Sequence, residues 1–167
     1  TEAISAGAMI SVSCEEIVML ENATIGDSAP IQMGGELKGV EREKAESFIR
    51  SIFDRAAEAN NYPKPLLRAM VTMQISVYRV RNLKTDEFEF FQGRFLPNDP
   101  NKYDLDNKQL IVADDQILTL TASQAGDYGI ASEIVENQQQ MINYLEKRDN
   151  VYISQPPQVL ETNWSEQ

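Results

Sequence analysis

Between Val40 and Asn60 the apolar residues Ala45, Phe48, Ile49, Ile52, Phe53, Ala56 and Ala57 recur at three- and four-residue spacing, with Glu and Arg between them. That period predicts a long amphipathic helix with one apolar stripe, which has to lie against other elements to leave water. Pro63 and Pro65 end it, and Leu66–Val71 is expected to form a short further helix. The rest of the chain must therefore supply the surface that this stripe covers.

Short runs suited to strands do so. Ile17–Leu20 is an apolar run bounded by polar residues, with Asn22–Gly26 read as a turn, and a loop continues through Pro30 and Gly34-Gly35. Ile75–Val80 and Glu87–Phe90 read as a hairpin, and Gln109–Val112 as a strand after a Pro-, Asn- and Asp-rich loop over 97–107. Within the hairpin, Phe88, Phe90 and Phe91 are expected to be strand core rather than a peptide-binding surface. Ile117–Leu120 precedes Thr121-Ala122-Ser123-Gln124, whose Thr and Gln are spaced as a capping box. The helix it opens is expected to close at Gly129, a residue free to turn left-handed, before an extended path over Ile130–Val135. A last helix carries Met141, Ile142 and Leu145 inward and ends near Arg148. Helices alternating with short strands and no internal repeat define an α/β fold class.

Composition narrows the chemistry. With 167 residues, 42% hydrophobic and 25% charged, the chain can bury one core, so a single domain is expected. Fifteen Lys and Arg against 26 Asp and Glu leave a formal charge of −11, which repels phosphate backbones and makes nucleic acid an unsuitable partner. The single cysteine, Cys14, excludes an internal disulfide framework, and with no histidine the usual zinc ligands are missing. Carboxylate sites for harder cations stay open but lack a motif, since no EF-hand loop is present. A Ser-His-Asp triad or Cys-His pair cannot be assembled from this chain either, so a hydrolase here needs another base. Lysine serves when its surroundings favour the neutral amine, the form that accepts a proton. No apolar stretch reaches the roughly 18 residues of a membrane-spanning helix. The chain opens at Thr1 rather than Met, which fits a processed product whose membrane segments lie elsewhere.

Ile4-Ser5-Ala6-Gly7-Ala8-Met9-Ile10, continued by Val12 and Cys14, reads as a short buried helix beginning near Ser5 and ending at Glu15-Glu16. A serine there is by itself an ordinary N-cap. It also stands beside unpaired backbone donors that favour a developing oxyanion. Lys44 lies one turn before Phe48 and two before Ile52, bordering the apolar stripe, where a solvated helix lysine is the ordinary alternative.

Two stretches carry a family resemblance. The first runs from Ile4-Ser5-Ala6-Gly7 to Glu16-Ile17-Val18-Met19-Leu20-Glu21-Asn22-Ala23-Thr24-Ile25-Gly26, and the second is Leu118-Thr119-Leu120-Thr121-Ala122-Ser123-Gln124-Ala125-Gly126-Asp127-Tyr128-Gly129-Ile130-Ala131. In order and separation they resemble segments of NfeD-type and SppA-type peptidases. The resemblance implies a ClpP/crotonase-like fold, here its C-terminal part, over residues 1–154, with 155–167 leading toward a membrane region. It implies a membrane-associated serine endopeptidase on the extracytoplasmic side of a bacterial membrane. Ser5 would be the nucleophile, Lys44 the base with Lys38 as rival, and the Ala6 amide one oxyanion donor. The family's oxyanion glycine pair lies upstream of its nucleophile, and Gly34-Gly35 stands in the wrong place for it.

The implied substrate is a polypeptide, hydrophobic segments of a stomatin-like membrane protein, and the implied working form a homo-oligomer without cofactor. Val159–Glu166, with Trp164, resembles the juncture before the membrane-spanning region of the same proteins. Two other functions stay open: a non-catalytic ClpP-like interaction module, and a crotonase-type acyl-CoA enzyme, which needs paired backbone amides rather than a helix-start serine.

Overall fold

The computed structural model describes residues 2–31 and 38–153. Gly34-Gly35, the Val159–Glu166 stretch and the expected 155–167 linker lie outside the described residues. The chain divides into two compact units, residues 1–134 and 135–167.

In the first unit the elements run β1 (Glu2–Ile4), α1 (Ala6–Val12), β2 (Val18–Leu20), β3 (Thr24–Gly26), α2 (Gly39–Asn60), α3 (Lys64–Ala69), β4 (Val77–Arg81), β5 (Phe88–Gln92), β6 (Gln109–Val112), β7 (Thr119–Thr121) and α4 (Ala122–Asp127). β8 (Glu133–Val135) begins there. One sheet has the order β1-β3-β7, with β1 parallel to β3 and β7 antiparallel to it. The expected turn at Asn22–Gly26 is thus corrected: Thr24–Gly26 is the central strand of this sheet, and only Glu21-Asn22 turn. A second sheet, β5-β4-β6, is antiparallel throughout and contains the expected hairpin, with Val77 opposite Gln92 and Arg81 opposite Phe88.

The core gathers Phe53, Ala56 and Ala57 of α2, Leu66, Leu67 and Ala69 of α3, Met70 and Val71 just beyond it, Ile25 of β3 and Leu120 of β7. The stripe of α2 reaches this core only at its C-terminal half. Toward its N-terminal end the order reverses: Phe48 is 67% exposed whereas Glu46 is 2% exposed. The buried carboxylate is held by Arg42 at 2.6 Å and Arg50 at 3.2 Å, and Arg50 reaches on to the Thr72 hydroxyl at 2.8 Å. Arg68 of α3 makes a two-pronged contact with Asp54 of α2, both arms at 2.7 Å, which holds its guanidinium above the usual pKa range. Asn60 closes the other end, donating from its amide to the Val12 and Cys14 carbonyls at 3.1 and 2.8 Å.

The capping box forms as its spacing predicts: the Thr121 hydroxyl accepts from Gln124 N–H, and the Gln124 side chain accepts from Thr121 N–H. Gly129 takes φ +74° after α4. Phe90 and Phe91 pack edge-on against Tyr128 and Tyr103, at centroid distances of 5.1 and 5.3 Å. Phe88 is exposed, with the Arg79 guanidinium 3.9 Å above its ring.

In the second unit α5 (Gln138–Asp149) is capped by Asn137, whose side chain accepts from Gln140 N–H at 3.0 Å, and is closed by Asn150 at φ +52°. Met141, Ile142 and Leu145 are half-buried, and no residue of α5 is fully buried.

Candidate active site

Ser5 occupies the single residue between β1 and α1, with φ +56° and ψ −119°. For an L-residue other than glycine this is a sparsely populated conformation that persists only where neighbouring structure enforces it. The enforcement comes from β3. Parallel pairing sets Ile4 opposite Gly26, so the chain leaving β3 runs beside Ser5. The Ser5 N–H donates to the carbonyls of Gly26 at 3.2 Å and Asp27 at 2.9 Å, while the Ser5 carbonyl accepts from Met9 N–H at 3.2 Å and from the Ser28 hydroxyl at 3.1 Å.

Asp27 itself has φ +41°, and its N–H donates to the Leu118 carbonyl at 3.0 Å. Gly26, at φ +141°, approaches β7 so closely that a Cβ would stand 2.4 Å from the Leu118 carbonyl oxygen. Two positive-φ residues in succession therefore bend the chain after β3 and deliver Ser28 beneath Ser5. Ser28 is 3% exposed, and its N–H is anchored on the Met70 carbonyl at 2.6 Å.

The expected N-cap role for Ser5 is absent, since its side chain makes no capping hydrogen bond. Its hydroxyl is on an exposed residue at a tight strand-to-helix turn. Ala6 is also exposed, and among the described residues its N–H has no acceptor. That donor and the Ser5 hydroxyl are adjacent in the chain.

Lys44 is exposed on α2. With Val40, Glu43, Ser47, Phe48 and Ser51 it lines an open cleft of about 720 Å³ along that helix, where Val40 and Phe48 are 71% and 67% exposed. Among the described residues Lys44 forms no ion pair and Ser5 Oγ no hydrogen bond, so no hydrogen bond joins the two expected partners. Lys38, the rival, precedes α2 as its N-cap residue in extended backbone and is exposed. Among the described residues no group of three or more His, Cys, Asp or Glu side chains is arranged to hold a metal, and no helix is long and apolar enough to cross a membrane.

Sequence reasoning did not single out Asp27 or Ser28. Their local sequence reads as an ordinary polar loop, and their position beside Ser5 follows from the β1–β3 pairing, which joins residues more than twenty apart.

The fold is α/β and ClpP-like, with Ser5 at a strained strand-to-helix turn. The chain superposes with probability 1.00 and TM-score 0.53 on a serine-to-alanine mutant of 1510-N, a membrane-bound stomatin-specific protease, at 14% identity over 86% of this chain and 49% of that one. A lysine-to-alanine mutant of 1510-N in complex with a substrate peptide gives the same TM-score and identity, over 86% of this chain and 47% of that one. The likeness establishes the fold, and the chain spans about half the length of these solved structures. The family model of the NfeD1b N-terminal domain matches residues 1–91, more than half of the 167 residues, and the chain belongs to that family. A comparison with curated protein sequences finds no match.

Proposed function

We propose that this chain carries the nucleophile of a serine endopeptidase acting on polypeptides. Ser5 Oγ bonds to the scissile carbonyl carbon and passes its proton to Lys44. The carbon–nitrogen bond breaks as Lys44 returns that proton to the leaving amine, and water then hydrolyses the acyl-enzyme. The Ala6 N–H is one donor to the oxyanion, with a second outside the residues described. The observation that carries this reading is the Ser5 backbone at φ +56°, strained and held by four hydrogen bonds to Gly26, Asp27, Met9 and Ser28, with a side chain that does no capping.

Family membership and the fold shared with 1510-N support the same reading. They favour hydrophobic segments of a membrane-associated, stomatin-like protein as substrate, and a membrane-associated oligomer, facing the extracytoplasmic side, as the working form. On this reading residues 1–154 form the peptidase domain and 155–167 lead toward a membrane region. The exposed Val40 and Phe48 flanking Lys44 suit an apolar chain, and covering that face by substrate or by a second copy would remove water from around the amine.

Hydrolysis of internally quenched apolar peptides by the whole protein tests the proposal. Activity is expected to vanish in Ser5→Ala and in Lys44→Ala. Loss in Ser5→Ala alone moves the base to Lys38, and undiminished hydrolysis in Ser5→Ala contradicts the reading. The lack of a hydrogen bond between Lys44 and Ser5 among the described residues, together with the exposed Val40 and Phe48, favours one alternative, a non-catalytic ClpP-like module that binds a partner through the Val40–Phe48 face. Binding of such peptides without cleavage is its signature.

A further inference from the structure

We propose that Ser28 is a positioning residue that sets the direction of the Ala6 N–H, an inference that rests on the reading of Ser5 as nucleophile. The Ser5 carbonyl and the Ala6 N–H belong to one planar trans peptide unit, so they point in opposite directions and turn together. Whatever grips the carbonyl therefore aims the amide. Two donors do so: Met9 N–H at 3.2 Å, which is the first bond of α1 itself, and the Ser28 hydroxyl at 3.1 Å, which comes from outside the helix.

The Ser28 hydroxyl has one proton to give. Its other neighbour, the Gly26 carbonyl, is farther at 3.4 Å and already receives the Ser5 N–H. Ser28 is itself well fixed, buried to 3% exposure and anchored through its own N–H on the Met70 carbonyl at 2.6 Å. Ser5 ψ, the torsion that a peptide flip would change, is in a strained region, so the unflipped orientation needs an external hold. A flip would turn the Ala6 N–H away from the oxyanion and replace a donor with a carbonyl, which repels it. A buried serine 23 residues from the nucleophile in sequence thereby acts on the transition state without touching substrate.

The test is the rate of covalent labelling by a fluorophosphonate, together with kcat and KM on an apolar peptide, for the whole protein and its Ser28→Ala and Ser28→Thr variants. Complete loss of one oxyanion donor lowers kcat by roughly a hundred- to a thousandfold. Ser28→Ala, which leaves the Met9 hold in place, is expected to label and turn over about ten- to a hundredfold more slowly, with KM unchanged. Ser28→Thr restores the hydroxyl and the rate. Should Ser28→Ala fail to fold, Ser28→Cys keeps the volume with a much weaker donor and is expected to show the same slowing. A folded Ser28→Ala protein that labels at the wild-type rate overturns the inference. Absence of labelling in the wild type overturns the peptidase reading instead. The Ala6 amide resonance then decides the hold independently: it moves in Ser28→Ala and returns in Ser28→Thr, or the inference fails.

Discussion

Gly26 and Leu118 approach so closely that the middle strand of the β1-β3-β7 sheet has no room for a side chain at its last position: a Cβ on Gly26 would meet the Leu118 carbonyl oxygen at 2.4 Å and the Thr119 Cα at 2.9 Å. Both are backbone atoms, which cannot swing aside, and Gly26 holds φ +141°. Gly26→Ala is therefore expected to destabilise the protein by roughly 2 kcal/mol or more, through strain and displaced strands. Because Gly26 O receives the Ser5 N–H, the substitution should also slow any reaction at Ser5. Denaturant unfolding checks the first effect, and the labelling rate of the remaining folded fraction checks the second.

Ser5 carries the opposite expectation. At φ +56° and ψ −119° a glycine is unstrained where serine is not, so Ser5→Gly should stabilise the protein by about 1 kcal/mol while removing the nucleophile. Ser5→Ala keeps the strain and removes only the hydroxyl. A Ser5→Gly variant no more stable than Ser5→Ala in urea titration would mean that the turn stores no strain.

Glu46 tests how the N-terminal half of α2 is held. It is 2% exposed between Arg42 and Arg50. Both arginines are partly exposed and can turn to water once the carboxylate is gone, so the loss should be smaller than for a fully buried pair. Glu46→Ala is expected to cost roughly 2 kcal/mol, and Glu46→Gln, which keeps some hydrogen bonds, about half of that. Thermal unfolding of both variants decides it.

Tyr62 provides the pH dependence. Burial, then the neighbouring Cys14 and Glu16, push its phenol above the ordinary pKa range. A raised folded-state pKa means that the folded protein holds the proton more tightly than the unfolded chain. The associated stability is present in full below the unfolded pKa, near pH 10, and is lost as pH rises through the folded value. Stability should therefore fall more steeply above about pH 10 in the wild type than in Tyr62→Phe. Parallel curves for the two proteins would contradict this.

Legibility in the sequence followed locality. α2, the β4–β5 hairpin, the capping box at Thr121 and the left-handed Gly129 are each specified within a window of a few residues or by a clean period, and each forms. β1 and β3 are three-residue strands too short to show alternation, and Thr24-Ile25-Gly26 ends in a residue that reads as a turn. Periodicity also placed Phe48 on the buried stripe of α2, whereas Arg42 and Arg50 stabilise Glu46 on the covered side and leave Phe48 at 67% exposure.

The candidate site divides the same way. Ser5 and Ala6 became candidates through the family resemblance, since a serine before a small-residue helix reads locally as an ordinary N-cap. Ser28 could not, because its role depends on a parallel pairing and two positive-φ residues that no local pattern announces. Lys44 was legible as a residue bordering the stripe of α2, and its pairing with Ser5 came from the resemblance, since a helical period gives a face and not the distance between two helices.

The central claim is that Ser5 is a nucleophile, and the most direct measurement is localisation of a fluorophosphonate adduct by peptide mass spectrometry. Trypsin does not cut between Thr1 and Lys38, the first Lys or Arg of this sequence, so Ser5, Ser11, Ser13 and Ser28 stay on one peptide, and fragmentation within it separates Ser5 from the other three. The account predicts a single phosphonylation at Ser5, absent from Ser5→Ala. An adduct on another residue, or a folded protein that never takes up the probe, would contradict it.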